Sequence, residues 1–224
     1  MKHTILTAAA IMLAIAAHSQ NKIFTIGAEG GISIASLSYD QSSINDLYKS
    51  RTGYAAGVAL QYNFKKVFSL RTGAMFELKG ATSEITFTDQ SGNIIGKGEI
   101  KQDLGYLTIP LLLRATFGNK INFFVNGGPY WASLLTAKLI IEPVPANIDH
   151  EQDIKYQFET TEFGVSGGIG VSALFNELIL ISLEVRNNMG ITDISPGTYE
   201  VKTRSLLFLA GVAITFGSRG GEGK

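Results

Sequence analysis

The stretch Gln102–Gly118, QDLGYLTIPLLLRATFG, decides how this chain is built. Leu107, Ile109, Leu111, Leu113, Ala115 and Phe117 fall on one face; Tyr106, Thr108, Pro110, Leu112, Arg114 and Thr116 fall on the other. Apolar residues at every second position mark a strand, because successive side chains leave a pleated backbone on opposite sides. The same alternation runs through Leu178–Asn188 and Ser205–Gly217. It continues with lower contrast through Phe24–Tyr39, Gly53–Phe64, Val67–Thr88, Ile121–Ile141 and Tyr156–Phe175. Each segment reaches or exceeds the roughly 9–11 residues that a tilted strand needs to cross a bilayer.

Brief junctions at Lys65 and Lys66, at Asn119 and Lys120, and at Asn176 and Glu177 alternate with long polar stretches. The long stretches are Asp40–Ser50, Asp89–Lys101, Glu142–Ile154 and Thr192–Thr203. Short turns alternating with long loops predict an all-β chain: an eight-stranded antiparallel up-and-down transmembrane barrel, turns toward the periplasm and loops outside the cell. Such a sheet must close, because unpaired backbone groups are too costly in hydrocarbon. Pro110 and Pro129 each lack an amide donor, so a bulge or a weak point in the ladder is expected there.

Periodicity leaves inside and outside undecided, and a soluble up-and-down barrel would bury the apolar face instead. The polar face is rich in glycine, serine and alanine, yet carries Glu29, Arg71, Glu77, Arg114, Glu184 and Arg186 in mid-strand. Small residues suit a crowded lumen, and three acids facing three bases suit a structural ion network that plugs it. Phe24, Tyr62, Phe64, Phe68, Phe117, Phe123, Phe175 and Phe216 gather at the short-turn ends, where a membrane barrel carries its aromatic girdle. Tyr130 and Trp131 are expected near the outer rim as interfacial anchors, the alternative being a partner contact. Gly164, Gly168 and Gly170 are expected to permit strong coiling, the alternative being close approach of a lumen side chain or a neighbouring barrel.

The first residues read as an export signal. Lys2 and His3 precede an apolar run from Ile5 to Ala17, and Ala17, His18 and Ser19 offer a cleavage site. The expected organisation is a cleaved signal helix at 1–19, an outer-membrane barrel domain at 20–217 and a polar tail at 218–224. The 224-residue chain has 19 basic and 19 acidic residues, a balance that gives no reason to expect nucleic acid as partner. It has no cysteine, which excludes disulfides, thiol catalysis and a lipid anchor on cysteine.

No catalytic constellation, cofactor motif or metal motif emerges. His150 is the one histidine left after cleavage, in EPVPANIDHEQD, away from any strand-end serine for it to activate. Asp149, His150, Glu151 and Asp153 form a weak cation-site candidate. The expected protein is non-enzymatic, a scaffold or a carrier of extracellular loops; the alternatives are a small lipid-modifying enzyme or a passive channel. An eight-stranded lumen is just wide enough for side chains to fill it. Expected partners are outer-membrane lipid, the barrel assembly machinery during biogenesis, and envelope or secretion proteins at the rim.

Tyr106–Arg114 reads YLTIPLLLR, Gly128–Leu135 reads GPYWASLL, and Gly164–Phe175 reads GVSGGIGVSALF. These stretches resemble the PorT-like family of outer-membrane β-barrels, and the likeness runs from about Ile23 to Phe216. The resemblance implies an eight-stranded outer-membrane barrel. Thr108 stands where the family's more familiar motif has an acidic residue, so any role of that acid is absent here. The ending Gly211–Phe216, GVAITF, resembles the terminal strand signal read by the assembly machinery, although Gly217–Lys224 follows it.

Overall fold

The computed structural model describes residues 23–40, 48–88, 91–92, 94–142, 151–175, 178–197 and 199–216. The expected signal segment, the polar tail, Asp149, His150 and the turn at Asn176 and Glu177 lie outside the described residues. Nine strands follow in order: β1 Phe24–Tyr39, β2 Tyr48–Asn63, β3 Phe68–Thr88, β4 Ile94–Gly118, β5 Ile121–Glu142, β6 Glu151–Asp153, β7 Thr161–Phe175, β8 Ile179–Gly190 and β9 Val201–Phe216. All are antiparallel to their neighbours, and the pairing of β4 with β5 closes the ring. Short β6 pairs only with β5, leaving an eight-stranded barrel. The seam joins β1 to β9 along their full lengths, from Phe24 opposite Phe216 to Tyr39 opposite Val201.

The apolar stripe faces outward. Ile109, Leu111 and Leu113 of β4 are exposed while Thr108, Leu112 and Arg114 are buried. Seven of the eight aromatics at the short-turn ends are exposed, and Phe216 is half-buried. Phe24 packs against both Tyr62 and Phe216, which ties the girdle across the seam.

Several boundaries differ from those read off the sequence. The second long connection is largely strand: β4 starts at Ile94, and its hairpin with β3 turns at Ser91 and Gly92, where Gly92 takes a φ of 82°. Strand β7 starts only at Thr161: after Ile154, which is buried in the barrel mouth, come a 3-10 turn at Lys155–Gln157 and the irregular residues 158–160. At the prolines there is no bulge, but there is a weak point. The β4–β5 ladder lapses at Leu111 and Leu112, next to Pro110 and across from Pro129, and resumes in the same register, whereas the shift falls between Gly105 and Tyr106.

Strand lengths of 21, 25 and 22 residues in β3, β4 and β5 far exceed the membrane requirement of about 9–11. Their outer halves carry exposed ion pairs, Lys49 with Glu84 and Lys101 with Glu142. Hydrogen bonds from those lysines hold both carboxyls below the usual carboxylate range. The barrel wall therefore continues into water, and there its polarity inverts. Leu37, Leu104, Leu134, Ile154, Ile194 and Val201 turn inward to form an apolar core.

The three lumen glycines make room for side chains rather than merely permitting curvature: Gly168 for Asn126 and Glu184, the other two for rings. Gly164 lies opposite Tyr130 and Gly170 opposite Phe124, and a Cβ at either would overlap that ring. At Gly170 the same Cβ would also meet the Leu183 carbonyl, which no rotamer change can move. Gly170→Val is expected to cost roughly 1–3 kcal/mol, read as a lower urea midpoint for unfolding from lipid vesicles. An unchanged midpoint would mean that Phe124 can leave the lumen freely.

Candidate functional site

The lumen is the candidate site, and the inward stripe of β3 passes through its layers in turn: Ser69, Arg71, Met75, Glu77, Lys79 and Ala81. Nearest the short turns is a five-residue ion network. Glu29 accepts hydrogen bonds from Arg71 and, at 3.3 Å, from Arg186. Glu184 accepts from Arg186 at 2.7 Å, from Arg114 at 2.9 Å and from Asn126 at 3.1 Å. The Phe124 ring covers the Arg114 guanidinium at 3.7 Å. Above this network, Ala55, Met75, Leu207 and Leu209 form a small apolar cluster.

Of the six charges singled out in the sequence, Glu77 stands apart. It accepts from Ser205, from Asn188 at 3.1 Å and from Thr108 at 3.4 Å, all neutral donors. The register places Glu77 three inward positions beyond Arg71 on β3, with Met75 between them.

Beyond Glu77 lies a pair that the sequence reading did not assemble. Lys79 donates to Glu162 at 2.6 Å and to Thr203 at 3.1 Å, and both ionic side chains are 0% exposed. Tyr130 and Thr203 donate to the same Glu162 carboxylate. The ammonium also sits 4.9 Å from the Tyr106 ring centre and 5.0 Å from that of Tyr130. Tyr130 is thus a lumen residue, not a rim anchor; Trp131, on the opposite face, is half-buried. Glu162 shares the parity of Gly164, Ser166 and Gly168, which was the available signal for its direction.

Two loop residues fold into the outer mouth. Ile194 between β8 and β9 is 0% exposed, and Ile154 before β7 is 4% exposed; both join the apolar core. The Glu159 amide donates to the Ile194 carbonyl, clasping one loop to the other. Asp193 accepts from the amides of Ser195 and Val201, which fixes the turn that carries Ile194 inward. Above the lower network and Glu77, the Lys79–Glu162 pair is fully buried next to this apolar core.

The cation-site candidate fares differently. Glu151 pairs with Lys138 and Asp153 accepts from the Lys155 amide. Among the described residues no group of three or more metal-ligating side chains gathers.

No curated protein matches the chain in sequence. Among solved structures, it is similar to Neisserial surface protein A, with 15% identity, a TM-score of 0.49, and coverage of 86% of this chain and 97% of that one. It is also similar to the attachment invasion locus protein Ail of Yersinia pestis, at 11% identity and a TM-score of 0.42, covering 87% and 99%. A third is outer membrane protein W of E. coli, at 14% identity and a TM-score of 0.42, covering 87% and 98%. The family model for the outer membrane protein beta-barrel domain matches residues 17–195, which takes in every strand except the closing β9. With its closed ring, lipid-facing apolar belt and charged lumen, the chain belongs to the outer membrane protein beta-barrel domain family, and its place is the outer membrane.

Proposed function

We propose that this protein is a non-enzymatic outer-membrane barrel with a closed lumen, whose working surface is the rigid outer rim. The observation that carries this reading is the cap: Ile154 and Ile194 fold back over the fully buried Lys79–Glu162 pair. A passive channel needs a continuous water path, and an apolar core above paired charges opposes one. A lipid-modifying enzyme needs an activated nucleophile at the rim. The strands that outrun the membrane, β3 to β5, present instead a stiff platform for envelope or secretion proteins. The ending Gly211–Phe216 supports recognition by the assembly machinery during insertion.

Two measurements test this reading. In planar bilayers the purified barrel is expected to give no steady conductance; stable, size-selective current would overturn the closed lumen. Cysteines placed at exposed rim residues such as Ser91 or Tyr199 should react with an impermeant label on intact cells and crosslink to a neighbour. Labelling only after the outer membrane is opened would reverse the topology.

A further inference from the structure

At the short-turn end the lumen opens into a cavity of about 490 Å³. Lys65 and Lys66 stand at its mouth, Arg114 lines it more deeply, and Asn63, Asn122 and Ser172 contribute polar walls. Among the described residues, no carboxylate lines it. The network beneath is also short of negative charge: Arg71, Arg114 and Arg186 share two carboxylates, Glu29 and Glu184. Glu77, which would balance the count, is held farther up by neutral donors.

Arg114 is the unfinished member. It is 2% exposed, it donates to Glu184, and its Nε is buried with no acceptor. A guanidinium presents five donors in one plane, and leaving a buried one unmatched is unfavourable. Phe124 covers one face of that plane, so the edge is fixed and only an in-plane acceptor can complete it. A planar or tetrahedral oxyanion suits such an edge better than a spherical ion.

We propose that this vestibule is a binding site for a single oxyanion group, a carboxylate or a phosphate, entering from the periplasmic side. Arg114 is its deep contact, with Lys65 and Lys66 drawing the anion in. The site is independent of whatever the outer rim binds.

The test uses the full barrel, refolded in detergent micelles with labelled nitrogen, and follows the arginine Nε–Hε resonances. Inorganic phosphate and acetate are titrated separately at constant ionic strength set with sodium chloride. The Arg114 signal, identified by its absence in Arg114→Lys or by through-bond assignment if that variant does not fold, is expected to move to a plateau. That of Arg51, paired with Asp103 in the outer half, should stay still. Lys65 and Lys66 are exposed, so Lys65→Gln/Lys66→Gln should fold normally, and its half-saturation concentration should rise roughly tenfold. A plateau with acetate, with phosphate or with both supports the site and names its preferred oxyanion. No movement, equal movement with chloride, or an unchanged midpoint in the double variant would overturn it.

Discussion

Glu162→Leu is expected to destabilise the barrel by about 3–5 kcal/mol, because it strands the Lys79 ammonium in a space with no access to water. Lys79 would keep Thr203 at 3.1 Å and the faces of Tyr106 and Tyr130, but lose the carboxylate 2.6 Å away. Neither ring faces nor one hydroxyl can neutralise a buried charge. Lys79→Met should cost a similar amount by leaving Glu162 with only hydroxyl donors. The double variant Lys79→Met/Glu162→Leu removes both charges and should recover most of the loss, since an apolar replacement of a whole buried pair is often neutral. Urea unfolding from lipid vesicles reads all three variants through the one tryptophan, Trp131. A double variant as unstable as either single one would show that the pair is not the term that matters at this layer.

The sequence made the barrel legible because its period is strict where lipid meets the wall. Ile109, Leu111 and Leu113 can only alternate with Thr108, Leu112 and Arg114 on a strand, and glycine with charge on one face told which face turned inward. What parity could not tell is where the bilayer ends. Leu104 and Tyr106 share the face of Arg114, yet they belong to an apolar core beyond the membrane. The same limit hid the Lys79–Glu162 pair. Its members are 83 positions apart and meet only through the curvature and stagger of the closed ring. Gly164 and Gly170 posed a related problem, because their meaning depends on the β5–β7 register that sets Tyr130 and Phe124 opposite them. Charges were visible along the lumen face; which of them share a layer was not.

The layers should also answer differently to salt, and Glu184→Gln tests this. Glu184 serves Arg114 and Arg186 with separate oxygens, and the swap keeps its shape while removing its charge. Glutamine then turns an amide donor toward guanidiniums that themselves only donate. Three arginines are left with Glu29 alone, and the expected loss is again about 3–5 kcal/mol. Glu29→Gln takes from Arg71 its carboxylate but should be milder, because that pair is less deeply buried than Arg114 with Glu184, and Glu184 still holds Arg186. Here the short-turn end of the lumen is open, since Arg114 lines the vestibule, so a small anion can reach the uncompensated charge. Adding phosphate should restore part of the stability lost in Glu184→Gln and none of that lost in Glu162→Leu, whose layer lies under the apolar cap. Equal rescue of both would mean that water and ions reach the Lys79 layer as well, and the closed lumen would have to be abandoned.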